Sequence, residues 1–74
     1  MNEITIIPAD PLLENWEAYK DNGLIYLKGY VYRHPNYLDG TLITTSEVVK
    51  TIGKKVITGS GRTYMLGQEK ILSA

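Results

Sequence analysis

Turn signals divide the sequence into short segments, and this division constrains the fold more than any other feature. Asn-Gly, Asp-Gly and glycine-rich stretches tolerate the positive φ angles that tight turns require. The segments between them are rich in β-branched and aromatic residues, which favour strands. The pattern predicts a mainly β fold, a small five- to six-stranded antiparallel meander that forms an SH3-like barrel or a roll. The turn signals are Asp21-Asn22-Gly23, Asp39-Gly40, Gly53-Lys54, Gly59-Ser60-Gly61 and Gly67.

The clearest predicted strand is Leu24 to Tyr32, in which Gly29 indicates a bend or bulge. Leu12 to Lys20 fits two structures. Its apolar residues have helical spacing, but the Asn-Gly turn that follows is typical of a hairpin. We favour a strand from about Asn15 to Lys20, with room for a single helical turn before it, and the alternative is a helix over Leu12 to Lys20. The other predicted strands are Glu3 to Ile7, Thr41 to Thr51 with a bend near Thr45-Ser46, Lys55 to Thr58, and Arg62 to Leu66. Gln68 to Ala74 is expected to form a helical turn or an arm.

Length and composition favour one domain, residues 1–74, with a small core. A domain of 74 residues buries only about 60% of the surface of its unfolded chain. Such domains commonly depend on disulfides, metal ions or self-association for stability. The chain has no cysteine and one histidine. Disulfides, thiolate sites and histidine-rich metal sites are therefore excluded within one chain, and we expect a homo-oligomer.

The charge balance argues against nucleic acid as a partner. Eight basic and eight acidic residues give a formal net charge of zero, whereas proteins that bind phosphate backbones usually carry a basic surplus. No apolar run approaches the roughly 18 residues of a membrane span. The first residues lack the basic and apolar segments of a signal peptide. We therefore expect a cytoplasmic protein that binds neither membranes nor nucleic acid.

Catalysis is not expected. His34, Asp39 and a serine or threonine supply the residue types of a nucleophilic triad, but no nucleophile elbow accompanies them. The acidic residues are scattered along the chain, so paired carboxylates are not evident. His34 and Asp39 alone would not complete a metal site. The sequence therefore predicts no enzyme, no cofactor and no metal.

Several side chains suit a small anionic ligand. The backbone amides of Gly59-Ser60-Gly61 can form an anion-binding nest, and Arg62 adds a guanidinium that matches phosphate oxygens. Alternatively, these glycines only make a hairpin turn. The hydroxyls of Thr44-Thr45-Ser46 alternatively satisfy backbone groups of a β-bulge, and His34 alternatively bonds to a backbone carbonyl or to Asp39. The predicted ligand-binding residues are Arg33, His34, Thr45, Ser46, Ser60, Arg62 and Tyr64.

One face of the strand from Leu24 to Tyr32 carries three tyrosines, Tyr26, Tyr30 and Tyr32, because side chains alternate between the two faces of a strand. These tyrosines either cover an edge of the core or form an exposed aromatic surface. An exposed surface of this kind would serve a subunit interface or stack on a flat ligand. We predict that the three tyrosines are interface residues.

Between about Gly29 and Gly67, the type and spacing of several residues, beginning with His34-Pro35 and Asp39-Gly40, resemble a pattern that recurs in short proteins of bacteria and their phages. Tyr37 stands where that pattern has a bulky aromatic residue. The resemblance implies a phage-type protein, and small oligomeric phage proteins often act by sequestering a signalling nucleotide or by blocking a host protein. The residues that carry it are His34-Pro35, Asp39-Gly40, Ile43, Thr45-Ser46, Thr58, Ser60-Gly61, Tyr64 and Leu66-Gly67.

Two functions are consistent with these observations. The first is a non-catalytic oligomer that sequesters a small anionic, nucleotide-like ligand, such as a phage sponge for a host defence signal. The alternative is an inhibitor or adaptor that binds a host protein through the tyrosine-rich face.

Overall fold

The computed structural model describes residues 10–71, which form one sheet of six strands. The mainly β prediction is confirmed, and residues 10–71 contain no helix. The predicted strand from Glu3 to Ile7 lies outside the described residues. The strands are β1 (Leu12–Asp21), β2 (Leu24–Tyr32), β3 (Thr41–Thr44), β4 (Val48–Ile52), β5 (Lys55–Thr58) and β6 (Thr63–Leu66).

The sheet is mixed, with the strand order β3-β2-β1-β6-β5-β4. Four neighbouring pairs are antiparallel, but β6 returns parallel to β1, where Leu12 faces Met65 and Leu13 faces Leu66. The prediction of a purely antiparallel meander is therefore wrong at this pair. Strands β3 and β4 form the two edges of the described sheet and do not pair with each other, so the predicted barrel does not close.

A bulge in β1 explains why its sequence resembles a helix. The register between β1 and β2 shifts between Glu14 and Glu17, and Asn15 adopts a φ of 52°, which asparagine tolerates better than most residues. The extra residue allows Leu13 and Trp16 both to reach the core although they are three positions apart. The predicted strand is thus correct, and the alternative helix over Leu12 to Lys20 is wrong, as is the helical turn before the strand, because β1 begins at Leu12.

Gly29 lies on β2 opposite the bulge in β1 and is buried. A Cβ atom added at Gly29 would lie 2.9 Å from the carbonyl oxygen of Glu14 and 3.0 Å from Cγ of Leu13. The irregularity predicted at this glycine therefore takes the form of a bulge in the facing strand, and the close approach of the two backbones requires the absence of a side chain.

The predicted long strand from Thr41 to Thr51 is divided by a corner at residues 45–47, which we call the polar corner. Here the Thr45 N–H donates to the Leu27 carbonyl oxygen at 2.8 Å, and the Leu27 N–H donates to Thr45 Oγ1 at 3.1 Å. The corner turns the second half of the chain over the first, so that one core forms between them. The buried apolar residues are Leu13, Leu27, Val31 and Ile43 from β1–β3, and Val56 and Tyr64 from β5 and β6.

The segment after β6 continues beside β1. The Trp16 N–H donates to the Gln68 carbonyl oxygen at 3.2 Å, and the Lys70 N–H donates to the Trp16 carbonyl oxygen at 2.8 Å. Up to Ile71 this segment is therefore an arm and not the helical turn that was its alternative. The described part of the chain contains no helix with the length and apolar character needed to cross a lipid bilayer.

Replacing Gly29 with alanine tests the close contact between β1 and β2. Alanine has the higher intrinsic strand propensity, so without a clash the change would be neutral or stabilising. Because the new Cβ would meet backbone atoms, we expect the free energy of unfolding to fall by roughly 1–3 kcal/mol in urea titrations. The control is Lys28→Ala, at the exposed neighbouring position of β2. If Gly29→Ala lowers the free energy of unfolding by no more than Lys28→Ala does, this account of the bulge is contradicted.

Candidate functional site

Two adjoining cavities contain all seven predicted ligand-binding residues. The larger, which we call the arginine cleft, has a volume of about 550 Å³, and the smaller, the aromatic cavity, about 280 Å³. Ser60 and Arg62 line both cavities and therefore form their common wall. The remaining lining residues of the arginine cleft are Asp10, Pro11, Arg33, Pro35, Gly61 and Thr63. Those of the aromatic cavity are His34, Asn36, Tyr37, Ile43, Thr44, Thr45, Ser46 and Tyr64. Whether these residues bind a ligand stays a prediction.

Arg33 reaches the arginine cleft from the end of β2 in an uncommon backbone conformation. Its φ is 61°, a left-handed value that costs a residue with a Cβ atom about 1–2 kcal/mol. Asp39 stabilises this conformation, since its Oδ1 accepts the Arg33 N–H at 2.8 Å. The Gly40 N–H then donates to the Val31 carbonyl oxygen at 2.7 Å and closes the loop. One oxygen of the Asp39 carboxylate is thus occupied by the loop backbone.

The arginine cleft carries excess positive charge. Arg33 and Arg62 are the only two arginines of the chain, and both line this cleft. Neither makes an ion pair with any of residues 10–71. The one acidic residue of the cleft, Asp10, already has a partner in Lys55, at an Nζ–Oδ2 distance of 3.5 Å. An anion in the cleft would therefore meet two guanidinium groups that lack a counter-ion among the described residues.

The turn between β5 and β6 does not offer the predicted anion-binding nest. The Gly59 N–H donates to the Glu47 carbonyl oxygen at 2.7 Å, and the Gly61 N–H donates to the Thr58 carbonyl oxygen at 2.8 Å. The Ser60 N–H donates to Ser46 Oγ at 3.1 Å. All three amides are thus occupied within the protein. The alternative interpretation, a hairpin turn, describes this segment correctly.

Thr45 and Ser46 have structural partners that the sequence could not identify. Thr45 is buried, and its hydroxyl accepts from Leu27 N–H and donates to the Ser46 carbonyl oxygen at 2.7 Å. Ser46 Oγ accepts the Ser60 N–H. The alternative interpretation, hydroxyls that satisfy nearby backbone groups, therefore fits these two residues. The hydroxyl proton of Ser46 itself has no acceptor among residues 10–71.

His34 is buried, with 8% of its surface exposed, and both ring nitrogens are hydrogen-bonded. The Asn36 N–H donates to Nδ1 at 3.0 Å, so Nδ1 must carry a lone pair. Nε2 then carries the ring proton and donates it to Tyr64 Oη at 3.2 Å. The partners considered from sequence, a backbone carbonyl or Asp39, are wrong, since Asp39 bonds to the Arg33 N–H instead.

Burial and the nearby arginine both act on the histidine and tyrosine. Desolvation, followed by the positive charge of Arg62, lowers the pKa of His34 below its usual value. Desolvation raises the pKa of Tyr64, and the Arg62 charge opposes that shift. Protonation of His34 would also break the Asn36 hydrogen bond, because Nδ1 would become a donor. The pair is therefore neutral near pH 7.

The two cavities also have lining residues that were not predicted to bind a ligand, and two of them, Asn36 and Tyr37, contact His34. The rings of Tyr37 and His34 meet edge-on, with a centroid distance of 4.7 Å and an angle of 64° between planes. Tyr37 is 47% exposed and lines the aromatic cavity. The sequence did contain a signal for Tyr37, because it lies between His34-Pro35 and Asp39-Gly40, where the recurring pattern has a bulky aromatic residue. No sequence pattern indicates that the backbone N–H of Asn36 would bond to His34.

The three tyrosines predicted as interface residues line neither cavity. Tyr30 is 38% exposed and pairs across the sheet with the exposed Leu42 of β3. Tyr26 is half-buried and stacks against Tyr19 of β1, with ring centroids 6.0 Å apart. Tyr32 is half-buried too. The outer surface of β1–β3 thus has an exposed aromatic and aliphatic patch, which we call the tyrosine face and which extends beyond the predicted strand to Tyr19 and Leu42.

Comparisons with protein-family models, with curated proteins and with solved structures find no match to this chain. Within residues 10–71, no group of three or more histidine, cysteine, aspartate or glutamate side chains comes close enough to hold a metal ion.

The burial of neutral His34 predicts a specific dependence of stability on pH. Because its pKa is lowered in the folded state, the unfolded chain takes up a proton first as the pH falls below about 6.5, and the folded state loses relative stability. That loss continues until the folded histidine also becomes protonated, with a slope of at most about 1.4 kcal/mol per pH unit. Urea titrations at about pH 7.5 and pH 5.0 measure this loss of unfolding free energy in the natural protein. The same loss is measured in His34→Gln, whose amide does not titrate, as the control. Equal pH dependence in the two proteins would contradict the account.

Proposed function

We propose that this protein is a non-catalytic binding protein that sequesters a small anionic, nucleotide-like ligand. The observation that carries the proposal is the arginine cleft, which both arginines of the chain line without an ion-pair partner among the described residues. A guanidinium presents parallel N–H donors that match the oxygens of a phosphate. Two such groups beside one cleft suit a phosphate better than a single carboxylate.

The aromatic cavity supports the nucleotide-like part of the proposal. It adjoins the arginine cleft through Ser60 and Arg62, so a ligand can place its phosphate on one side of Arg62 and a flat ring on the other. Tyr37, which is 47% exposed, supplies an aromatic wall on which a base can stack whatever its identity. The volumes of the two cavities, about 280 and about 550 Å³, together fall in the range of small-molecule sites.

The hydrogen bonds of His34 favour binding over catalysis. A general base needs a free lone pair within reach of the proton that it removes. In His34 the Nδ1 lone pair is occupied by the Asn36 N–H, and Nε2 carries a proton. Neither nitrogen bonds to a carboxylate, as the base of a nucleophilic triad does. Chemistry centred on His34 would first require this arrangement to break.

The biological setting of the proposal rests on the resemblance to short phage and bacterial proteins. A protein that binds a signalling nucleotide without converting it would act as a sponge, and a phage would use it to counter a host defence signal in the cytoplasm. We further propose that the protein is a homo-oligomer, because a domain of 74 residues without disulfides has a small core.

Charge removal at the arginine cleft tests the proposed function. We expect isothermal titration with a panel of linear and cyclic nucleotides to find at least one that binds. Arg62→Gln should weaken that binding roughly tenfold to hundredfold, because a charge-assisted hydrogen bond is lost. Arg33→Gln should act in the same direction. Lys50→Gln removes the same charge from an exposed position of β4 and should leave binding unchanged. Absence of binding by the folded protein would contradict the proposal, as would equal effects of all three substitutions.

The second candidate function, an inhibitor or adaptor that binds a host protein, is favoured by the tyrosine face. Tyr19, Tyr30 and Leu42 are each more than a third exposed. Aromatic residues that combine a large apolar ring with a polar hydroxyl are common at the centre of protein interfaces. The same face would alternatively join two copies of the chain.

A pull-down with the tagged protein tests the second candidate. Tyr30→Ala should abolish capture of a specific host protein, because interface aromatics carry a large part of the binding energy. Val49→Ala truncates an exposed apolar side chain of β4, away from the tyrosine face, and should leave capture intact. Circular dichroism establishes that both variants are folded. An unchanged set of captured proteins in Tyr30→Ala would count against this function.

A further inference from the structure

The aromatic cavity has a hydrogen-bonding preference that narrows the class of ligand, and this inference rests on the proposed function. The buried lining residues that carry a polar side-chain group are His34, Thr45 and Tyr64. A buried donor or acceptor left without a partner strongly opposes binding, because it cannot return to water. The positions of the hydroxyl and imidazole protons therefore decide which ring atoms the cavity accepts.

The hydroxyl protons of the two buried threonines, Thr45 and Thr58, are already used within the protein. Thr45 Oγ1 donates to the Ser46 carbonyl oxygen at 2.7 Å. Behind the common wall of the two cavities, Thr58 Oγ1 donates to the Arg62 carbonyl oxygen at 3.2 Å. Thr58 has only one hydroxyl proton. In the hydrogen bond between Thr58 Oγ1 and Ser60 Oγ at 3.1 Å, Ser60 must therefore be the donor.

The Tyr64 hydroxyl is different, because its own proton has no acceptor among the described residues. The Asn36 N–H fixes His34 as the tautomer that is protonated on Nε2. The Nε2–H then donates to Tyr64 Oη, so the tyrosine oxygen acts as an acceptor toward the histidine. Its O–H must therefore donate elsewhere, and the side chain lines the aromatic cavity. Among the buried side chains of residues 10–71, only Tyr64 holds a hydroxyl or imidazole proton without a partner in the protein.

We infer that the ligand places a carbonyl oxygen against Tyr64 and Arg62, so that the aromatic cavity prefers a keto base to an amino base. Arg62 lines the same cavity and has donors only. An oxygen of uracil or hypoxanthine accepts from both groups, as would the corresponding oxygen of guanine. The amino group of cytosine or adenine at the same place is itself a donor, so it would face the donors of Arg62 and Tyr64. The Tyr64 proton would then have no acceptor.

Two matched pairs of nucleotides test the inference, because their members differ in this group and share the sugar and phosphate. The pairs are uridine with cytidine monophosphate, and inosine with adenosine monophosphate. In isothermal titration we expect the keto member of a pair to bind roughly tenfold to hundredfold more tightly. Tyr64→Phe should bring this ratio close to one while the phosphate still binds. Tyr37→Phe also removes a hydroxyl from the cavity wall, and it should preserve the ratio.

The possible outcomes separate this inference from the proposed function. Equal or tighter binding of the amino members would overturn the inference and leave the proposed function standing. An unchanged ratio in folded Tyr64→Phe would do the same. Absence of binding by all four nucleotides and by the cyclic panel would overturn both. If Tyr64→Phe does not fold, the ratios measured on the natural protein still decide the question.

Discussion

The fold depends on the polar corner at residues 45–47, where two halves of the sheet are held together. Thr45 exchanges hydrogen bonds with Leu27 in β2 through its N–H and its hydroxyl. Two residues later, the Glu47 carbonyl oxygen accepts the Gly59 N–H from the turn after β5. A single corner is thus bonded to a strand of the first half and to a turn of the second. The aromatic cavity lies beside the corner, since Thr45 and Ser46 line it, and the buried core contains residues of both halves.

The same bonds determine which groups remain for a ligand. Because the corner and the β5–β6 hairpin occupy the amides of residues 59–61, backbone N–H groups are not free to bind an anion there. The groups that remain include the guanidinium groups of Arg33 and Arg62, the hydroxyl proton of Ser46 and the buried hydroxyl proton of Tyr64. Recognition in the proposed site therefore depends on side chains, and it should be sensitive to single substitutions.

The sequence predicts the local structure well and the contacts between distant residues poorly. Turn chemistry and β-branched residues place β2 and β5 correctly, because these signals act over a few residues. The bulge at Asn15 was missed because the two core residues on either side of it, Leu13 and Trp16, are three positions apart, which is also the spacing of a helix. The parallel pairing of β1 with β6 depends on residues some fifty positions apart, which no local pattern encodes. The seven predicted ligand-binding residues line two cavities, yet the hydrogen bonds of Thr45, Ser46 and the glycine amides depend on partners that only the fold reveals.

The most direct test of the anion site is a proton–nitrogen correlation spectrum of the arginine side chains during titration with a mixture of nucleoside monophosphates. The chain has only two arginines, so the spectrum contains one Nε–H signal from each. The account predicts that both signals shift and that they saturate together, since both arginines line the arginine cleft and one phosphate there would contact both guanidinium groups. If both signals stay in place at millimolar nucleotide while the protein remains folded, the cleft does not bind this class of ligand and the central claim is wrong.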